Sequence, residues 1–558
     1  MKKTKKIIKW ILKIIIFIVI VVIIYLSFIN ILKSIRKRNI NDENWLNKNI
    51  KIVYNEKLGK NIMSIKTKDY VNIFSEKYQK IVDNKINELI RKNNYTLDNP
   101  LLIYNPYGTN TLSINIYFNT DSNVKVSYNI SANDKNIKDY SNTLYNEDGF
   151  SKNHEYQIIG LIKNKKNKIL IKTMNENGKE DSKSFKINTP DTKSNVDLKL
   201  KSTKGSSKSE LENGLYAILG HDKSFNSNIY LYDNEGVLRG ELPLKNYRTD
   251  RIEFINNKML YSYKKSGFLQ VNRLGKIDKI YNINGYTMHH DYKYDKKNNK
   301  LLILANENGA NSIEDIIISL DLSTGKVKKV LDMKNILEDM YKTAISPESG
   351  NTYGGDELDW IHLNSLDIIG NDIVLSSREL SSIIYIEDIY QNPKLKYIIS
   401  DLSVYKNTKY EKYVYSKNGE FVSQAGQHTI TYVAAEDNTY YLAMYNNNFG
   451  SSRTRPDFDW SYFPGVGTYK NGEKSMYYLY EVKEKSRTYK LVKSINLPYS
   501  SIVSSIQNLQ KNYVTSSGMN HSYGEYDNDG NLIKQFDYTS KKYAYRVFKY
   551  SFNKFFFD

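Results

Sequence analysis

Residues 229–244, IYLYDNEGVLRGELPL, read as a strand, a turn at Asn234-Glu235-Gly236, and a second strand. The same unit returns at Leu269–Ile283 around Leu274-Gly275-Lys276, and at Ile316–Met333 around Ser323-Thr324-Gly325. It returns again at Ile383–Ile399, Tyr477–Leu497 and Tyr526–Tyr538, the last turning at Asn528-Asp529-Gly530. From about Gly214 onward the chain is strand and turn to its end. Six outer hairpins of this kind, at irregular intervals, predict a six-bladed β-propeller and an all-β fold class. Val414–Ala425 is a seventh hairpin-like stretch, read as an excursion between blades.

Ahead of the propeller (213–558), Thr189-Pro190-Asp191 breaks the pattern, and a polar stretch through Gly205, Ser206 and Ser207 reads as a linker over 191–212. The preceding domain, 41–190, is a helix followed by a small β-sandwich. Leu112, Ile114, Ile116 and Phe118 alternate with polar residues, as do Val124, Val126, Tyr128 and Ile130. Further strands fall around Ile158–Ile162 and Ile169–Thr173, and the sandwich ends near Ile187. Val71, Phe74, Tyr78, Ile81, Val82, Leu89 and Ile90 recur at three- and four-residue spacing, predicting an amphipathic helix over 68–94.

Residues 1–40 have another character. Ile14 to Leu32 are apolar except for Ser27 and Asn30, a run that can span a bilayer as one helix. Six lysines precede the run, and Lys33, Arg36, Lys37 and Arg38 follow it. That balance places the body outside the cytoplasm. Asn30-Ile31-Leu32 lacks the small residues of a cleavage site, so the expectation is an uncleaved, single-pass anchor.

With 558 residues the chain is long enough for two globular domains. It has no cysteine, which excludes disulfides, thiolate metal sites and cysteine nucleophiles. The net charge of +20 comes mainly from lysines spread along the chain, with no nucleic-acid-binding module, so no nucleic-acid partner is expected.

Histidine is scarce, seven in all, so its placement carries information. His289-His290-Asp291, Asp359-Trp360-Ile361-His362 and Gln427-His428-Thr429 fall where strands begin. A propeller gathers its innermost strands around one channel, where residues distant in sequence converge.

These residues carry a resemblance. Asn94–Pro100, continuing to Asn105-Pro106-Tyr107-Gly108, looks like the start of the N-terminal sandwich of bacterial arylsulfate sulfotransferases. Asp359–Asp367 with Ser376-Ser377-Arg378 is similar to that family's central motif. Gln427-His428-Thr429 resembles its nucleophile motif, and Tyr543–Val547 its C-terminal strand. The resemblance covers roughly residues 60–558. It implies sulfuryl transfer from a small-molecule aryl sulfate to a phenol without a nucleotide donor, without cofactor or metal, and often by a homodimer. Carried over by position, His428 is the sulfated nucleophile, His362 and Arg378 bind the sulfuryl oxygens, and the remaining histidine is His290, with His289 as the alternative.

The chemistry agrees with these residue types. Sulfuryl transfer, like phosphoryl transfer, asks the protein chiefly for positioning and charge stabilisation. A neutral imidazole is a competent nucleophile near neutral pH, and arginine offers a planar fork to an oxyanion. A phenoxide leaving group, conjugate pKa about 10, is helped by a proton from His362 or His290. Asn364 and Ser365 are read as orienting His362 or as ordinary strand residues. Phe458–Phe463 and Tyr445 either wall a phenol pocket or pack ordinarily. Asp291 and Asp367 either hold histidine tautomers or cap turns. Two rival readings remain: a metal-dependent ester hydrolase using His289, His290, His362 and His428, whose spacings match no metal motif, and a non-catalytic binding propeller.

Overall fold

The computed structural model describes residues 10, 13–27, 29, 42–68, 71–245, 247–346, 357–433 and 439–558. Each predicted hairpin supplies the third and fourth strands, counted from the axis, of an antiparallel blade, and blades five and six each gain a fifth strand beyond it. The turns show why. In four of them an Asp or Asn side chain accepts two backbone N–H groups further along: Asp233 from Glu235 and Val237, Asn272 from Leu274 and Lys276, Asp321 from Ser323 and Thr324, Asp527 from Asp529 and Asn531. Gly236, Gly275, Gly325 and Gly530 then take φ of 73°, 85°, 73° and 88°, a left-handed conformation that glycine adopts without strain.

Among the described residues six blades close the ring. Both ends of the propeller seal it. Ala544–Tyr550 pairs with Leu215–His221 as the innermost strand of blade one, and Lys201–Lys204 pairs with Leu532–Asp537 as the outermost strand of blade six. The stretch read as a linker thus contains a blade strand. The excursion before blade five adds only Ser416–Lys417, parallel to Thr488–Leu497. Apolar clusters fill the space between successive blades, such as Leu302, Leu304 and Ile317 of blade three against Leu363, Leu366 and Leu375 of blade four.

The sandwich is one continuous sheet. Ser113–Ala132 pairs with Leu101–Tyr104 and Ser151–Ile159 over its first half, and mainly with Lys165–Asn175 over its second. Ile114, Ile116, Val126 and Tyr128 from both halves share one core, which continues into blades one, two and six. The helix is Glu76–Lys92, shorter than 68–94. The Asn72 side chain accepts the Phe74 N–H, a local turn that competes with helix, so Val71 and Phe74 stay outside it. Lys51–Tyr54 and Ile62–Lys66 are strands the sequence reading left unassigned.

Of the expected anchor, residues 13–27 and 29 are helical, and residues 28 and 30–32 lie outside the described residues. Among the described residues no helix is long and apolar enough to cross a membrane.

Candidate active site

The innermost strands of blades three, four and five are Tyr286–Asp295, Leu363–Ile369 and His428–Val433. Each skips register against its neighbour, between Met288 and Tyr292, Leu363 and Ser365, and His428 and Thr431. Within these bulges His290 and Thr429 take φ of 54° and 56°, and His362, just ahead of its own, takes 49°. Left-handed backbone at a non-glycine residue costs about 1–2 kcal/mol. Its recurrence at corresponding points of three strands marks a place where side-chain direction matters. His428 begins its strand and His362 stands one residue ahead of its own, whereas His289 and His290 lie mid-strand.

His428, His362 and His290, on or next to the inner strands, and Arg378, which follows Asp372–Ser377, line one cavity of about 530 Å³. The His290 and His362 rings are 4.8 Å apart, and Tyr545 lies 5.2 Å from His290 and 6.3 Å from His428. His289 also lines the cavity, its Nδ1 3.0 Å from that of His290. His428 Nδ1 is 2.7 Å from Asn447 Oδ1 and 3.1 Å from the Gly426 carbonyl. Burial lowers its pKa to about 3, with Arg378, His362 and Arg546 acting in the same direction, so the ring is neutral. Burial likewise lowers His289 to about 4 and holds His290 well below its ordinary value.

His362 is the opposite case. Burial and the Arg378 guanidinium push its pKa down, yet the carboxylates of Asp359 and Glu314 outweigh them and raise it to about 9. Both carboxylates stand 2.6 Å from His362 Nδ1. Arg378 is held by Glu379 at 2.8 Å and Asp359 at 3.5 Å, and burial is overcome by those carboxylates, keeping it charged. Glu379 in turn accepts from Ser452 and from the Arg453 N–H. Neutral and charged imidazoles therefore share one cavity, which Arg248, Lys265, Arg453 and Lys542 also line.

Several expectations are redirected. Asn364 and Ser365 do not reach His362. The Asn364 amide donates to the Gln427 carbonyl at 2.7 Å, and Ser365 Oγ accepts the Ile430 N–H, so both brace the His428 strand. Asp291 accepts from Arg251, Arg546 and the Leu366 N–H, and Asp367 from the Tyr432 N–H, so neither holds a histidine. Tyr445 packs in the core between blades five and six, and Phe458–Phe463 stay off the cavity, whose aromatic wall is Tyr247, Tyr543 and Tyr545. Glu314 and Asn447 went unremarked in the sequence. Glu314 lies 48 positions from His362, ahead of the apolar Ile316–Ile318, and Asn447 is the middle of three successive asparagines.

Two overlapping trios, His289-His290-Glu314 and Glu314-Asp359-His362, place their donor atoms within 4.8 Å of one another and could hold a metal ion. Sequence spacing gave no sign of them because Glu314 arrives from a separate loop. His428 belongs to neither trio.

A sequence profile of the arylsulfotransferase (ASST) family matches residues 200–553, and one of the arylsulfotransferase Ig-like domain matches residues 101–190. No curated protein matches the chain. Solved structures with similarity include a protein of Bacteroides fragilis described as a candidate 6-phosphogluconolactonase (10% identity, 77% of this chain, 99% of that one, TM-score 0.34). Others are a functionally unknown protein of Desulfotomaculum acetoxidans (10%, 68% and 95%, TM-score 0.32) and BamB of Moraxella catarrhalis (8%, 62% and 92%, TM-score 0.29).

Proposed function

The chain belongs to the arylsulfotransferase family, and from that premise we propose how it moves a sulfuryl group between a small aryl sulfate and a phenol. His428 Nε2 attacks the sulfur of the donor, the S–O bond to the aryl group breaks, and an S–N bond forms. Arg378 and charged His362 bind the sulfuryl oxygens as charge shifts toward the leaving oxygen. His362 gives its proton to the departing phenoxide, and the phenol leaves. An acceptor phenol then returns a proton to His362, its oxygen attacks sulfur, and His428 departs as neutral imidazole. His290, neutral and beside His362, completes the polar wall around the sulfuryl group. The observation that supports this reading is the pairing, in one cavity, of a histidine kept neutral with another kept charged.

Two half-reactions give ping-pong kinetics. Donor alone, quenched at neutral or alkaline pH, should leave one sulfuryl adduct on the peptide containing His428. His428→Ala should lose adduct and turnover while staying folded. An adduct on His362 or His290, or ternary-complex kinetics, would overturn the assignment.

We also propose that residues 14–32 tether the body outside the cytoplasm, on the charge asymmetry around the apolar run, and that the protein works as a homodimer, as the family resemblance implies. A second reading, metal-assisted ester hydrolysis, rests on the two donor trios. Chelator treatment and metal analysis separate it: sulfuryl transfer by side chains alone persists without metal.

A further inference from the structure

We infer that Asn447 is a positioning residue whose amide, in place of a carboxylate, fixes the tautomer of His428 and keeps its sulfuryl adduct short-lived. This rests on the covalent reading above and adds a residue to it. The Asn447 side chain leaves little choice of orientation. Its Nδ2 donates to the Ser500 carbonyl at 2.7 Å and meets Ser504 Oγ at 3.3 Å, so its Oδ1 is the atom facing His428. His428 Nδ1 therefore meets two acceptors, Asn447 Oδ1 and the Gly426 carbonyl, and must carry the proton. The lone pair is left on Nε2, on the cavity side, where a sulfur can be attacked. Asn447 and His428 are each about 2% exposed or less, so no water competes for these bonds.

The choice of amide over carboxylate has a chemical consequence. When Nε2 bonds to sulfur the ring keeps its Nδ1 proton and becomes an imidazolium carrying a sulfonate. A carboxylate at Nδ1 would stabilise that cation and the protonated free ring alike, making His428 a poorer leaving group and, below its raised pKa, a protonated ring unable to attack. A neutral amide orients with far less of that stabilisation: its hydrogen bond favours the protonated ring, but burial outweighs it. The other groups around His428 oppose its protonation: Arg378 after blade four's second strand, His362 at the mouth of that blade, and Arg546 on the closing strand. His290 and the Tyr545 ring complete the surroundings. Asn447 is thus the partner position at which one added charge reverses the balance.

The test uses the full-length protein. In Asn447→Asp, phenol release in the first half-reaction should acquire an acid limb between about pH 4 and 6, roughly one to three units above the parent's value of about 3. Its adduct should persist about tenfold longer without acceptor, with KM for donor changed less than about threefold. Asn447→Leu should lose about ten- to a hundredfold in kcat without acquiring that limb. Because there are only seven histidines, ¹⁵N-histidine NMR of the parent reads the tautomer directly, and His428 should carry its proton on Nδ1 with no titration near 6.5. An Nε2–H tautomer, or a folded Asn447→Asp with unchanged pH profile and adduct lifetime, overturns the inference. Absence of any adduct in the parent instead defeats the covalent reading, and the NMR result still decides the tautomer.

Discussion

Replacing Glu314 by glutamine should move the basic limb of the pH profile while leaving the fold intact. His362 is raised from 6.5 to about 9, a preference for the charged form of roughly 3 kcal/mol. That net value survives burial and Arg378, which both oppose it, so the two carboxylates together supply more than it. They sit at the same 2.6 Å from Nδ1, but Asp359 also hydrogen-bonds the ring whereas Glu314 acts by charge alone, so removing Glu314 takes away the smaller share of their pull, on the order of 1 kcal/mol. The sign follows from the role: the proton-donating form is present below the pKa and is lost as pH rises through it. In kcat/KM for the donor, which isolates the first half-reaction, the parent should decline through about 9. Glu314→Gln should decline at a lower pH than the parent, and Asp359→Asn at a lower pH still. The shift should cost most rate with aryl sulfates of weakly acidic phenols, whose phenoxides depend most on the proton. A limb that stays near 9 in both Glu314→Gln and Asp359→Asn would show that His362 is not the titrating acid.

Arg378→Lys keeps the charge but loses the fork that can span two sulfuryl oxygens, and turnover should fall roughly a hundredfold, about 3 kcal/mol; near-normal kcat in a folded variant would make Arg378 structural. Asp291→Asn leaves Arg546 and Arg251 buried without their shared counter-charge, and urea titration should show a loss of about 3–5 kcal/mol, so an unchanged midpoint refutes that account. Protease added to spheroplasts should digest the body, and a body that survives together with a cytosolic control reverses the proposed orientation. Chelation should leave transfer intact, whereas loss restored by zinc would favour the donor trios as a metal site.

The outer hairpins were legible because their turns are written in side-chain chemistry: Asp233 with Gly236, Asn272 with Gly275 and Asp527 with Gly530 each announce a reversal. The inner strands were not. Ser504–Asn508 and Leu363–Ile369 bury Ser504, Ser505, Asn364 and Ser365 against the channel, which erases the apolar–polar alternation that marks a strand. The helix was overextended because periodicity cannot see that Asn72 turns the chain locally. At the site, scarcity made the histidines visible, and Arg378 came with its motif. Glu314 and Asn447 escaped because nothing in a lone carboxylate or an asparagine run tells which imidazole it will face across a ring of blades.

The two seals of the ring also set a schedule. Blade one lacks its inner strand until Ala544–Tyr550 has been made, and the same final segment delivers Lys542, Tyr543 and Tyr545 to the cavity wall. His362, Arg378 and His428 are synthesised more than a hundred residues earlier, yet they face an unfinished chamber. A nascent chain that stops short of this segment would hold every proposed reacting group without the wall that Lys542, Tyr543 and Tyr545 form. Competence therefore waits on Ala544–Tyr550, the strand that both closes the ring and finishes the cavity wall.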